Sequence, residues 1–350
     1  MAHSPSPPPG SRASAPESPV WNPEVGTGPG APLTAIEALR HRATGSAAGA
    51  SAPVPSGRPA PLLPAEPPGP RPLRVLGEAL SGMFRADTVV GPIVDSTSRA
   101  QRPLTTGRRI VLLGAHPRAG VTTTATALTL LLSRVRRERL ALLAIATDPT
   151  PVAGRTACPP RRAAEQVLAE IEAGRAENAD EVAALMDQIA PNAWAVAHQQ
   201  EARGLAVARL ARLFPQYFGA TVVDGGTAPS GSALSLVGSA DAVLLVGDSS
   251  REGMHAVEVA FTNLMSTGRV APDRLVVCLA QTVRTNRADL AWEAGVVRKQ
   301  GIRSVGIPWD PHLAANRQVR PDFLAVGTLR SFTQLMAESI DTSMTAGGLR

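Results

Sequence analysis

Residues 110–124 read Ile110-Val111-Leu112-Leu113-Gly114-Ala115-His116-Pro117-Arg118-Ala119-Gly120-Val121-Thr122-Thr123-Thr124. Four aliphatic residues, a loop bounded by glycines, a hydroxyl run and an apolar-periodic stretch predict strand, loop and helix in that order. A loop of this layout cradles phosphate, because its backbone N–H groups and the positive end of the following helix face the anion. Gly120 lets the backbone approach closely, Thr122 is placed to hold Mg2+, and Thr123 to hydrogen-bond a phosphate. A plainer reading has Thr122 to Thr124 only capping the helix. Such loops normally carry lysine just before the first hydroxyl residue, reaching the β- and γ-phosphates. Here that position is Val121. The chain's single lysine, Lys299, lies far away in sequence.

Outward from this loop, short Val/Leu/Ile-rich runs alternate with helical patterns. Strands are predicted near 109–114, 140–146, 193–198, 220–224, 242–247, 274–280 and 304–307. Helices are predicted over 121–134, 162–174, 202–213, 251–266, 288–299 and 328–340. That alternation implies an α/β fold, a doubly wound, mostly parallel sheet covered by helices on both faces. Ligands of such sheets bind at the carboxyl ends of the strands, so the loops there hold the candidate site. Asp148, in Ala146-Thr147-Asp148-Pro149 after the second strand, is a candidate to orient water or metal; a turn-initiating Asp-Pro is the structural alternative. Asp224 ends a hydrophobic strand in Thr221-Val222-Val223-Asp224-Gly225-Gly226, the place of a metal-holding or water-directing carboxylate.

Composition divides the chain unevenly. Residues 1–72 hold 18 of the 32 prolines and almost no aliphatic periodicity. Such a tail cannot bury enough apolar surface to offset its chain entropy and is expected to be disordered. Residues 73–107 read as a lead-in helix (73–84) followed by a linker, and 108–345 as the folded domain. Two distant cysteines, Cys158 and Cys278, fit neither a metal site nor a disulfide framework. With no signal-like segment and no apolar run of spanning length, a cytoplasmic location is expected. Net charge is +6. Residues 99–162 contain twelve arginines against Glu138 and Asp148, whereas 163–350 hold sixteen basic and twenty acidic residues. The arginine run reads either as a solvated face or as a surface for DNA, anionic lipid or an acidic partner.

The three loops, in this order, resemble the MinD/ParA family of deviant P-loop ATPases over about residues 108–340. The family's K-G-G-x-G-K-T-T aligns without gaps on His116-Pro117-Arg118-Ala119-Gly120-Val121-Thr122-Thr123. Its signature lysine, which reaches across a dimer, falls on His116, and its phosphate lysine on Val121. Its D-x-D-P matches Ala146-Thr147-Asp148-Pro149 with one carboxylate of two. Ile307-Pro308-Trp309-Asp310 resembles its late I-P-x-D near the base, and Gln281 falls close to its base-contacting asparagine.

The resemblance implies ATP and Mg2+ as cofactors, with Thr122 and Asp224 at the metal. Gly120, Val121, Thr122, Thr123, Arg118, Gln281 and Asp310 would line the nucleotide, and Asp148 and Asp224 would serve catalysis. It also implies a homodimer. Without the two lysines, binding is expected to outlast hydrolysis. The proline-rich tail resembles that of EspI-like proteins associated with type VII secretion, which implies a scaffold contacting a secretion or conjugation machine through the tail. An active ParA-like ATPase using DNA, through the arginines of 99–162, is one alternative; a TadZ/CpaE-like pilus-localisation protein is another. Residues 342–350 show no basic amphipathic pattern, so no direct membrane anchor is expected there and any membrane contact is expected to come through a partner.

Overall fold

A computed structural model describes residues 86–145, 150–156, 158, 162–197, 205–228, 231–284 and 287–345. The proline-rich tail, the lead-in helix expected at 73–84 and the Asp148 loop lie outside the described residues.

The strands are β1 (Arg108–Gly114), β2 (Leu140–Ala144), β3 (Asp187–Ala190), β4 (Ala193–Ala197), β5 (Ala220–Thr227), β6 (Ala242–Asp248), β7 (Leu275–Ala280) and β8 (Arg303–Ile307). They form one eight-stranded sheet in the order β3-β4-β2-β5-β1-β6-β7-β8. Every pairing is parallel except the antiparallel β3–β4 edge. The chain first moves from β1 towards one edge, returns through β5, then continues from β6 to the other edge. The reversal flanks β1 with β5 and β6, so the phosphate-type loop opens where the winding changes direction, the usual ligand crevice.

Side chains alternate across the sheet as the two-residue strand period requires. Ile110, Leu112, Leu142, Leu244 and Val276 enter one core, whereas Val111, Leu113, Leu143, Leu245 and Val277 enter the other. The first core is covered by α2 (Val121–Val135) and the long α11 (Val326–Thr345), through Leu128, Leu132, Phe332, Leu335 and Ile340. The second is covered by α4 (Ala164–Glu172), α6 (Leu205–Leu213), α8 (Arg251–Ser266) and α9 (Arg287–Lys299). Burial on both faces explains why the strands read as continuous aliphatic runs. The doubly wound α/β class expected from the sequence is the fold observed.

The main departures have local causes. Residues 86–100, expected as part of a linker, form helix α1 (Ala86–Ala100). Pro92 removes one backbone donor, yet α1 packs against α11, and tertiary contact overrides the propensity. Arg99 Nε donates to Asp341 Oδ2 at 2.8 Å and its Nη2 to Glu338 Oε1 at 2.8 Å. Four short helices lacked the length for a periodic signal: α3 (Thr150–Thr156), α5 (Ala179–Ala184), α7 (Gly231–Val237) and α10 (Pro311–Ala314). The four-residue β3 exists only by pairing with β4. Among the described residues no helix is long and apolar enough to cross a membrane.

Candidate functional site

The loop between β1 and α2 is built by its glycines. A Cβ on Gly114 would meet Val121 Cγ2 at 2.8 Å and the His116 carbonyl at 3.1 Å, so only glycine lets the strand turn there. Gly120 has φ 88, a left-handed conformation favourable to glycine, and no side chain caps the helix that follows. The first-turn N–H groups of α2 are thereby left to a ligand. Arg118 also sits at positive φ, 67°. Backbone bonds fix the mouth: Ala115 N donates to Val246 O and Ala228 N to Gly114 O, both at 2.8 Å.

Beneath the loop, Thr122 Oγ1 donates to Asp224 Oδ2 at 2.6 Å, and Gly226 N to Asp224 Oδ1 at 3.2 Å. Asp224 is 2% exposed. Burial pushes its carboxyl above the usual range, against the two hydrogen bonds that favour its charge. A buried carboxylate joined to a hydroxyl, beside an uncapped helix start, is a donor set that suits a hard divalent cation.

A cavity of about 670 Å³ opens over this pair, lined by His116, Arg118, Gly120, Val121, Thr122, Thr123 and Asp224, among others. A second, of about 230 Å³, reaches Gln281, Pro308 and Asp310. The structure thus brings Arg118, Gly120, Val121, Thr122, Thr123, Asp224, Gln281 and Asp310 around two adjoining cavities; Asp148 lies outside the described residues. Val121 is 8% exposed and belongs to the α2-side core. Asp310 caps α10: Oδ1 accepts from His312 N at 2.8 Å and Oδ2 from Ala325 N at 2.9 Å. Gln281 Oε1 accepts from Trp309 N at 3.2 Å. Both residues therefore shape the second cavity with side chains engaged in structure.

His116, at the position aligned with a cross-dimer lysine, is held within its own chain. Its Nδ1 lies 2.8 Å from Pro117 O, and its Nε2 faces Asp248 Oδ2 at 3.0 Å without hydrogen-bond geometry. Asp248 was not singled out in the sequence, although it ends β6 as Asp224 closes the aliphatic run of β5. Arg155 and Asn316 were also missed; both line the two cavities, and no local motif marks them.

No protein-family model matches the sequence, and no curated protein matches it. Solved structures do. A ParA family ATPase from Chlorobium tepidum superposes with a TM-score of 0.50 at 13% identity, covering 65% of this chain and 98% of that one. The chain has a ParA/MinD-like fold. Pyrococcus furiosus MinD, a cell division ATPase, gives 0.49 at 16% identity over 67% of this chain and 98% of its own. A putative plasmid partition protein from Borrelia burgdorferi, solved with AMPPNP, gives 0.44 at 11% identity over 70% and 99%. The ParA/MinD-like fold accounts for the position of the β1–α2 loop and Asp224 beside one another.

The arginine run changes meaning in three dimensions. Arg99 and Arg102 face Asp341, Arg109 faces Asp241, Arg134 faces Asp322, Arg136 faces Glu138 and Arg139 faces Asp180. Arg136 is 5% exposed and also donates to the carbonyls of Ala100 and Arg102. Much of the local charge excess is thus neutralised by acids from the later half of the chain.

Proposed function

We propose that this chain is a MinD/ParA-like nucleotide-binding protein that binds MgATP with little or no turnover, a scaffold or regulator rather than a working ATPase. The observation that carries the reading is the Thr122–Asp224 pair at 2.6 Å under an uncapped helix start, with apolar Val121 where the phosphate lysine is expected. Thr122 and Asp224 would hold the metal, which supplies positive charge to the phosphates when bound. The loop N–H groups from Gly120 to Thr123 would orient the phosphates. Removing one preorganised stabilising group from such a site costs ~2.7–4 kcal/mol, or ~10²–10³ in rate. Two lysines are replaced here, and His116, where one of them falls, has its Nε2 3.0 Å from Asp248 Oδ2 of its own chain. A homodimer, implied by the family resemblance, would on this reading form without the lysine's cross-subunit contact.

The tethering role rests on the proline-rich tail, whose composition suits extended contacts with components of a secretion or conjugation machine, type VII secretion by resemblance. DNA is the weaker partner, because much of the arginine run faces carboxylates of its own chain. Calorimetry with the purified chain is expected to show stoichiometric, Mg2+-dependent ATP binding without phosphate release. Steady phosphate release abolished by Asp224→Ala would overturn the pseudo-ATPase reading.

A further inference from the structure

The two cavities meet along Arg118, Ala119, Gly120, Thr123, Arg155 and Asn316. Arg155 comes from the last turn of α3, and its carbonyl accepts from Val319 N at 2.8 Å, which anchors the helix end to the segment after α10. The guanidinium is aimed by two neutral acceptors: Nη1 donates to Arg317 O at 3.3 Å and Nη2 to Asn316 Oδ1. Among the described residues no carboxylate pairs with it, in contrast to Arg99, Arg109, Arg134 and Arg139. Desolvation of the half-buried guanidinium lowers its pKa.

Desolvating a charge is unfavourable unless something returns the interaction. Among the described residues, neither carboxylate that lines the cavities pairs with it: Asp310 caps α10, and Asp224 is engaged by Thr122. Arg118 and Asn316 are the non-glycine residues with positive φ among those described, at 67° and 56°, and both border the cavities beside Arg155. Backbone in that region persists where the surroundings hold it, often around a ligand.

We propose that Arg155 is the cation that grips the polyphosphate of the bound nucleotide, with Arg118 as a second guanidinium at the loop, supplying the charge that Val121 does not. The assignment rests on the nucleotide-binding reading above. A planar guanidinium presents two parallel donors to phosphate oxygens, so one arginine pre-aimed by Asn316 serves as a fork where a P-loop lysine serves as a point charge. It comes from α3, an element separate in sequence from the β1–α2 loop that lines the same cavities. The loop sequence alone therefore does not reveal it.

Titration of the full-length chain with MgATP and with MgAMP tests the assignment. Arg155→Ala is expected to weaken MgATP by about tenfold to hundredfold, the loss of a charge-assisted hydrogen bond, and to leave AMP affinity unchanged. Should that variant melt below the working temperature, Arg155→Gln, which can still donate to Asn316 and Arg317 without the charge, reads the same contrast. Equal MgATP affinity in the intact chain and the variants overturns the role of Arg155 while the nucleotide reading stands. An equal loss of AMP and ATP affinity marks Arg155 as structural and also overturns it. No MgATP binding by the intact chain overturns both.

Discussion

At the residue scale, Asp224 and Val121 carry the consequences. Asp224 has its carboxyl raised by burial, so its charged form is disfavoured in the folded chain relative to the unfolded one. The sign follows: the penalty is absent below the usual carboxylate range and grows as pH rises through the raised value. In metal-free buffer at neutral pH, Asp224→Asn is therefore expected to raise the thermal midpoint, and the gain to shrink on acidification. The same variant is expected to lose Mg2+-dependent nucleotide binding. Asp322 acts in the opposite sense. Arg134 holds it below the usual range, and that exposed pair's small stabilisation is lost as pH falls. Gly114→Ala would drive a methyl against Val121 Cγ2, an overpacking of about 1–3 kcal/mol. A double-mutant cycle in urea is expected to show that Val121→Ala relieves part of it. The degeneracy at Val121 was readable in the sequence; its contact with Gly114 was not, because it depends on how the loop closes.

At the element scale, α1 shows how a local signal yields to packing. Gly91 and Pro92 argue against a helix, yet α1 docks on α11 through Arg99, Glu338 and Asp341. The side chains of that trio are 26%, 16% and 14% exposed. Arg99→Ala is expected to cost about 1 kcal/mol, the upper end for exposed pairs, and to quicken proteolysis within α1. Arg134→Ala, whose pair with Asp322 is 48% and 63% exposed, is expected to change stability far less. The long elements were legible because the two-residue and 3.6-residue periods repeat enough times to be seen. Helix α8 spans the predicted 251–266, with Ser250 accepting from Gly253 N at 2.9 Å as its cap. The short α3 gave no such period, and it supplies Arg155.

For the whole molecule, Cys278 reports on global unfolding. It is fully buried in β7, and burial pushes its thiol up to about 12. In native buffer a thiol reagent is expected to label half-buried Cys158 readily and Cys278 only at the unfolding rate. Labelling of Cys278 as fast as Cys158 would contradict the sealed core. If MgATP binds as proposed, saturation to about 100 times Kd is expected to add about 2.7 kcal/mol of stability and to slow Cys278 labelling in step.

Alternating aliphatic and amphipathic runs were enough to specify the doubly wound sheet, since burial on both faces leaves a near-continuous apolar signature in each strand. The loop sequence likewise gave the place of Thr122 and the absence of lysine, because both are matters of residue type at fixed spacing. Which charges are free depended on folding. The arginines at 99, 109, 134 and 139 meet acids from distant segments, whereas among the described residues Arg155 meets neutral oxygens. Charge pairing is a property of distances in space, and no window of sequence contains them.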